Sequence, residues 1–431
     1  MDYKQNYIKY KTKYLSLKET YLNNQLGGEF INRGSFGCVY KPPFKCRENN
    51  CEGDKCTHGI SKVMLQRAAE DEKFIYDSLQ LDRIDAAQRF FIGKPHMCTP
   101  EIPETELQKC IAEEYEFDNP EKLPYNKQLI FENGGIDLLA LINHGIVIRN
   151  PTEKKKIGDY ILRNLMNIAS GITLLNNNNI CHNDIKIDNI VTGLDDTINI
   201  ASVNDRFRLI DFGLSVNYSP DLMPNIEIAE QNIIDAAINS TNGSCLDRIL
   251  VHFILENHKD LRKLDINIIK NDLIERFGYL NHNNEIIHLM FPLMHYYEHG
   301  IIESFTNFFK NHIRYETLEK SILETLNFIY ARADTYQFGY LLFDLAYFGI
   351  FNKAQSIKIY EFLEEKKLLH FNPDERPLSI EIESLYRELL GKLLSESSSS
   401  EQLDKYKMKR ASSTPIKKAT SVVIPRTPST P

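Results

Sequence analysis

One short segment of the chain combines residue types that could move a phosphate group. Residues 182–189 place an acid (Asp184), a lysine two positions on (Lys186) and an amide (Asn189) in one loop. Asp211 begins a second segment, Asp-Phe-Gly, directly after an apolar pair. Carboxylate and amide oxygens are donors that Mg²⁺ prefers, and a carboxylate within hydrogen-bond reach can orient a hydroxyl. These residues predict phosphoryl transfer from a magnesium-bound nucleotide.

A glycine-containing hairpin is predicted over residues 29–41, with Gly34 and Gly37 at its turn. Glycine lets backbone amides approach phosphate oxygens because it has no Cβ. Alone the pattern is a weak signal, since an ordinary β-turn has the same appearance. It gains weight from the next predicted strand, residues 59–65, which carries the single lysine Lys62.

A helix is expected to follow that strand, from residue 67 to about residue 81. Glu70 and Glu72 lie near its start, and either could reach back to Lys62. Glu72 is preferred because it sits three residues before an apolar position. The inward-facing residues of the helix are predicted to be Phe74, Ile75, Tyr76 and Leu79.

The second half of the chain is expected to be mainly helical. Residues 129–132 have the pattern of a buried strand that runs into a flexible Asn-Gly-Gly connector, which is typical of a hinge. Residues 333–342 begin a very apolar helix, and residues 380–394 form the last one. A long helix before the loop is indicated by a stripe of core residues: Ile157, Ile161, Leu162, Leu165, Ile168, Ile172 and Leu175.

The two ends of the chain differ from the rest. Residues 1–28 predict an amphipathic helix rich in lysine and tyrosine, which could lie on the main fold, dock a partner or coiled coil, or reach a membrane surface. Residues 395–431 are a basic tail rich in serine, threonine and proline. This tail cannot bury enough apolar surface to offset the entropy of ordering, so we expect it to be disordered.

Net charge and the distribution of apolar residues indicate which classes of protein to expect. A net charge of −8 over 431 residues gives no reason to expect nucleic-acid binding. No apolar run is long enough to span a membrane, and the first residues lack the apolar core of a signal peptide. We therefore expect an intracellular protein whose eight cysteines are mostly thiols.

A cysteine-containing loop separates the hairpin from the lysine strand. Its soft side chains could close a tetrahedral zinc site, although their spacing is not that of the usual paired knuckles. A surface loop with free thiols is the preferred interpretation. The four candidate zinc ligands are Cys46, Cys51, Cys56 and His58.

In this order the motifs resemble those of the serine/threonine protein kinases, over about residues 29–394. The lysine- and tyrosine-rich N-terminus, the cysteine loop and the Phe-Glu-Asn-Gly-Gly run at 131–135 are similar to the mimivirus-like kinases of giant nucleocytoplasmic DNA viruses. The resemblance implies a two-lobed α+β fold with a β-rich lobe at 29–132. A mainly helical lobe would follow at 133–394, with an insertion at about 214–330. For a viral kinase the location would be the host cytoplasm or the virion.

The resemblance also implies a role for each motif residue. Asp184 would accept or orient the proton of the substrate hydroxyl, and Lys186 would contact the γ-phosphate. Asn189 and Asp211 would ligate Mg²⁺, and Asp334 would support the loop from below. The residues implied to bind ATP are Asn32, Gly34, Ser35, Gly37, Val39, Lys62, Glu72, Glu132 and Asn133.

Three features depart from the family pattern, two of them single positions and one a segment length. Asn32 stands in place of the first loop glycine, and Asn183 replaces the arginine that answers an activation-loop phosphate. About 120 residues separate Gly213 from Asp334, where a few dozen are usual.

The leading expectation is an active serine/threonine kinase that uses ATP and Mg²⁺ on unidentified protein substrates. The alternatives are a weak or inactive pseudokinase scaffold, and a small-molecule kinase of the aminoglycoside or choline type. Lys186 and the intact Asp-Phe-Gly argue against the small-molecule kinase.

Overall fold

The computed structural model describes residues 28–34, 37–48, 50–110, 125–195, 197–200, 207–218, 311–312, 318–370 and 372–394. The predictions for the N-terminal helix, for Ser35, for most of the insertion and for the tail fall outside these ranges. Within them the chain has a mixed α and β fold with one five-stranded antiparallel sheet and many helices, so the predicted mixed class is confirmed.

The sheet has the strand order β1-β2-β3-β5-β4. The hairpin predicted at residues 29–41 forms its first two strands, with Gly34 opposite Gly37. A Cβ at Gly37 would lie 2.5 Å from the Val63 carbonyl oxygen, so close approach of the third strand requires glycine here. The strands are β1 (Glu29–Gly34), β2 (Gly37–Lys41), β3 (Ile60–Leu65), β4 (His96–Cys98) and β5 (Tyr125–Phe131).

Four helices accompany the sheet: α1 (Asp54–His58), α2 (Gln66–Leu79), α3 (Leu81–Ile84) and α4 (Glu104–Cys110). The helix α2 confirms the one expected after the lysine strand, but its inward face was predicted only in part. Its buried residues follow a spacing of three and four, namely Ala69, Glu72, Tyr76 and Leu79. Phe74 lies on the opposite side and is 72% exposed, so its predicted inward orientation was wrong.

The remaining elements are mostly helical. The helices are α5 (Leu138–Val147), α6 (Pro151–Asn177), α7 (Leu318–Tyr347), α8 (Lys353–Glu365) and α9 (Ile382–Leu394). Two-residue strands pair as β6 (Ile180–Cys181) with β9 (Val216–Asn217), and β7 (Ile190–Val191) with β8 (Arg208–Leu209). Short 3₁₀ turns cover Ile187–Asn189, Pro373–Glu375 and Ser379–Glu381.

Local sequence explains where these helices begin. Asp137 caps α5 by accepting from the Ala140 amide at 2.7 Å, and Asn150 caps α6 ahead of Pro151. Each cap of this kind stabilises a helix by about 1 kcal/mol. All seven residues of the predicted stripe on α6 are buried, which confirms that this face belongs to the core. None of the helices in the described ranges is long and apolar enough to cross a membrane.

The oxidation state of the cysteines differs from the sequence prediction. Disulfides join Cys38 to Cys110, Cys46 to Cys98, and Cys51 to Cys56, so the expectation of thiols was wrong for these six residues. Two of the three bonds join residues more than fifty positions apart. Cys38 on β2 is bonded to Cys110 at the end of α4, and Cys46 in the loop after β2 is bonded to Cys98 on β4.

His58 does not join the cysteine cluster in the way that the zinc hypothesis required. It is exposed on α1, and its Nδ1 lies 2.8 Å from Asp54 Oδ1.

Candidate active site

Lys62 and Glu72 form a buried ion pair between the sheet and α2. The Lys62 Nζ lies 2.7 Å from Glu72 Oε2, and both side chains are largely shielded from water. Strand β3 fixes the lysine, and the buried face of α2 points the glutamate at it. The other candidate partner, Glu70, is exposed and accepts from Gln66 at 2.7 Å. The geometry therefore selects Glu72, as the sequence reasoning preferred.

Asp211 extends this pair into a triad of charges, with its Oδ1 3.6 Å from Lys62 Nζ. Burial lowers the pKa of Lys62, but the carboxylates of Asp211 and Glu72 outweigh it and raise that pKa above its usual value. Burial raises the pKa of Asp211, but Lys62, Lys186 and His182 outweigh it and lower that pKa. Both groups therefore carry their charges at neutral pH.

The loop 182–189 gathers its functional groups around Asp184. The Asp184 Oδ2 accepts from Lys186 Nζ at 2.9 Å and from Asn189 Nδ2 at 2.7 Å. Asn189 Nδ2 also donates to the Asp184 carbonyl oxygen at 2.8 Å. Because both contacts use the NH₂ group of the amide, the orientation of Asn189 is defined and its Oδ1 is turned away from Asp184. An amide oxygen of this kind is a suitable ligand for a hard cation.

Asp334 on α7 holds the start of this loop from below. Its carboxylate accepts from the backbone amides of His182 at 2.9 Å and Asn183 at 3.0 Å, and from Asn176 Nδ2 at 2.9 Å. Asp334 is fully buried, so these bonds replace the hydration that its charge loses. This contact matches the support from below that the sequence analysis assigned to Asp334.

Gln337, one helical turn after Asp334, also holds the loop and was not predicted. Its Oε1 accepts from the Ile185 amide at 2.9 Å, and its Nε2 donates to the Asn183 carbonyl oxygen at 2.8 Å. The i, i+3 spacing places both side chains on one face of α7. Sequence analysis could have found Gln337 from this spacing, because Asp334 was already predicted to support the loop.

Asn183 links the loop to the segment that follows Asp-Phe-Gly. Its backbone has φ 72, a left-handed conformation that asparagine adopts more readily than most residues. Its Nδ2 donates to the Leu214 carbonyl oxygen at 3.0 Å, and Ser215 Oγ donates to the His182 carbonyl oxygen at 2.9 Å. Asn183 thus connects the loop directly to the segment that follows Asp-Phe-Gly.

Phe212 lies at the centre of an aromatic cluster that connects α2 to the loop. Its ring centroid is 4.6 Å from that of His182, 5.5 Å from Phe91 and 5.6 Å from Tyr76. The Tyr76 hydroxyl accepts from the Phe212 amide at 3.4 Å. These contacts fix the backbone on the C-terminal side of Asp211, and through it the position of the carboxylate relative to Lys62.

The connector after β5 is fixed by specific contacts. Glu132 Oε1 lies 2.9 Å from Arg208 Nη1, and Asn133 Oδ1 accepts from the Gly135 amide at 2.9 Å. A Cβ at Gly134 would lie 2.4 Å from a methyl carbon of Val191, so the connector packs tightly against β7. The Glu132–Arg208 ion pair joins residues 76 positions apart, and nothing in the sequence pattern indicated it.

The structure thus brings six of the predicted site residues into two groups. Lys62 pairs with Glu72 and Asp211, Asp184 is held by Lys186 and Asn189, and the charge of Lys186 helps to lower the pKa of Asp211. Val39 lies on the neighbouring strand opposite Lys62, and Asn32 lies opposite Val39. The cysteine loop is a separate feature, bonded to β4 and α1. No family model matches the chain, and a search of curated proteins found no match either.

Proposed function

We propose that this protein is a serine/threonine protein kinase that transfers the γ-phosphate of ATP to hydroxyl groups of proteins. The supporting observation is that Lys62 pairs with Glu72 and Asp211, that Asp184 is held by Lys186 and Asn189, and that the charge of Lys186 acts on Asp211. We also propose that residues 29–132 and 133–394 are the two lobes of a kinase-like fold.

The donor set fits the nucleotide and metal that this reaction needs. The Asp211 carboxylate and the Asn189 Oδ1 are oxygen ligands of the kind that Mg²⁺ prefers, and Asp211 stays ionised at neutral pH. When bound, the metal would neutralise charge on the phosphates. Lys62 would contact the α- and β-phosphates, and its ion pair with Glu72 fixes where its charge lies.

Asp184 would orient the substrate hydroxyl and accept its proton. Its carboxylate is held by two donors, Lys186 and Asn189, so its direction is set before a substrate binds. Lys186 would turn towards the γ-phosphate when the nucleotide is present. Most of the catalysis would come from positioning and charge stabilisation, because phosphoryl transfer needs little covalent help from the protein.

The adenine would lie between Val39 and the connector. Glu132 uses its side chain to bind Arg208, so its backbone is the part that remains for the adenine edge. The backbone of Asn133 would contribute in the same way. The hydrogen bonds of the connector would hold these backbone groups in one arrangement.

The contact of Asn183 indicates how the proposed kinase would be regulated. Because its side chain binds Leu214 directly, the loop is tied to the following segment without a phosphate group. We therefore expect the purified protein to be active without prior phosphorylation of that segment.

The test is a radiolabelled ATP assay on the full chain with Mg²⁺ and a peptide library. We expect Asp184→Ala to lower the rate by about 10³-fold or more, as for other charge-stabilising groups. Glu72→Ala should also reduce the rate, because Lys62 then loses the partner that fixes its position. Glu70→Ala is the matched control, since this exposed glutamate is two residues away and does not contact Lys62.

Equal phosphate transfer by the wild type and Asp184→Ala would overturn the proposed activity. No transfer by either protein, together with a thermal shift on adding Mg-ATP, would instead favour a nucleotide-binding scaffold. The long insertion between Gly213 and Asp334 is the sequence feature that makes this second outcome worth measuring.

A further inference from the structure

Two disulfides lie side by side where the loop after β2 meets β4. One joins Cys46 to Cys98 and the other joins Cys51 to Cys56. The Sγ atoms of Cys46 and Cys51 and a ring nitrogen of His96 all lie within 4.8 Å of one another. Three elements separated in sequence thus bring four sulfurs and an imidazole to one place.

The strand β4 supplies two of these groups by its geometry. Successive side chains of a strand point to opposite faces, so residues two apart share a face. His96 and Cys98 are such a pair, and Cys98 is bonded to Cys46 across to the loop. His96 is therefore on the side of β4 that faces the loop cysteines.

The surroundings suit sulfur ligands in their ionised form. Gln128 Nε2, fully buried, donates towards Cys98 Sγ at 3.2 Å and Cys46 Sγ at 3.7 Å. An amide N–H that points at a sulfur stabilises negative charge there, and such outer contacts tune metal sites.

The histidine is also arranged as a ligand. Its Nε2 lies 3.1 Å from Asn50 Oδ1, and a proton donated there leaves Nδ1 with the lone pair. A histidine binds a metal through such a lone pair.

We propose that reduction of these two disulfides turns the cluster into a zinc site whose ligands are Cys46, Cys51, His96 and Cys98. Neighbouring ligand atoms of a tetrahedral zinc site lie about 3.8 Å apart, so Cys46, Cys51 and His96, all within 4.8 Å of one another, need only small side-chain movements. Cys98 is brought to the same place by its bond to Cys46. Cys56 is the fifth group, which pairs with Cys51 when the site is oxidised. This proposal does not depend on the kinase activity.

The chemistry balances with a dithiol as reductant. Each disulfide takes two electrons and two protons from one dithiol, which leaves as its own disulfide, and four protein thiols result. Zinc then binds three thiolates and one imidazole, and the three ligand thiols release their protons to solvent. The loop would be held against β4 in both redox states, by covalent bonds in one and by the metal in the other.

The experiment measures zinc in the full chain after anaerobic reduction with a dithiol and exposure to Zn²⁺ alone. We expect about one zinc ion per reduced chain and none in the oxidised chain. Cobalt bound in place of zinc should show the absorption of thiolate ligands. Zinc should also raise the melting temperature of the reduced protein, and a chelator should reverse that rise.

Two histidine variants provide the matched comparison. His96→Ala should lose at least tenfold in zinc affinity, whereas His58→Ala should bind zinc as the wild type does, because His58 faces Asp54 and solvent. Cys98→Ser should behave like His96→Ala, and Cys56→Ser should retain zinc. A reduced wild-type chain without stoichiometric zinc would overturn the site. Loss of zinc in Cys56→Ser with retention in His96→Ala would overturn the ligand set.

Discussion

The sheet and the helical part of this protein are held together in different ways. The sheet with its loops divides much of its apolar interior among three small clusters. All the disulfides of the described residues lie there. The helices that follow share one large continuous core built around α6 and α7. A small layer buries less apolar surface per residue than a larger body, so covalent links are of most use to it.

The proposed active site draws on both parts. Lys62 and Glu72 come from the sheet and α2, whereas Asp184, Asn189 and Asp211 come from the helical part. The rings of Tyr76 and Phe91 reach across to Phe212 and join the two. We therefore expect the two halves of the site to respond to different changes. Loss of a disulfide should weaken the half on the sheet, and loss of core packing should weaken the half on the helical part.

The largest effect is expected from removing the disulfide between Cys38 and Cys110. It closes a segment of 72 residues, and loop entropy assigns such a link about 4 kcal/mol of stability. We expect the double variant Cys38→Ala/Cys110→Ala to lose close to this amount in oxidising denaturant titrations. Alanine suits the site because both sulfurs are buried among apolar side chains.

The control for this variant is the reductant. Once both proteins are reduced, the wild type and the double variant should unfold at nearly the same denaturant concentration. Equal stability of the two oxidised proteins would show that the sheet does not depend on this link.

The next effect concerns the helical core. Leu165 on α6 is fully buried, and Leu165→Ala should cost about 3 kcal/mol because it removes packed methyl groups and leaves a cavity. This loss should be the same with and without reductant, unlike that of the cysteine variant. Hydrogen exchange should show the faster opening in the helices rather than in the sheet.

Val147→Ala is the matched control, since this side chain on α5 is 74% exposed and its truncation should change stability by less than about 0.5 kcal/mol. A redox-dependent cost for Leu165→Ala would contradict the separation of the two parts.

The smallest effect is a pH dependence of the protein's stability that arises from one residue of α7. Burial raises the pKa of Asp344 from 3.8 to about 7. The folded protein therefore binds this proton more tightly than the unfolded chain does. The contribution to stability is complete below pH 3.8 and falls as the pH rises through 7.

Asp344→Asn removes this titration while keeping the shape of the side chain. Its stability relative to the wild type should increase between pH 5 and pH 8 by about 1–2 kcal/mol, after allowance for partial solvent screening. Melting temperatures of both proteins across this range provide the measurement. Parallel curves would show that Asp344 is ionised in the folded protein throughout.

The sequence revealed most where the functional groups are close together along the chain. Asp184, Lys186 and Asn189 lie within six residues, so one loop must bring them together whatever surrounds it. The stripe on α6 was predicted with similar success because seven apolar residues follow the helical period. Phe74 was misplaced because a helix with apolar residues at neighbouring positions has no unique inward face from periodicity alone.

Contacts between residues that are far apart in the sequence could not be predicted from local spacing. The disulfides of Cys38 and Cys46, and the pair of Glu132 with Arg208, depend on how elements that are distant in sequence pack against one another. Neither composition nor spacing records such contacts. The assumption that an intracellular protein keeps thiols also favoured the wrong state for the cysteines.

The support that Asp334 gives to the loop has a consequence for synthesis on the ribosome. Asp334 follows His182 by 152 positions, so the loop emerges well before the residue that fixes it. At about 5–20 residues per second the delay is roughly 8–30 s. During that interval a nascent chain would carry Asp184, Asn189 and Asp211 without their final geometry. Phosphate transfer would then be confined to chains whose synthesis has passed α7, which would keep incomplete products inactive.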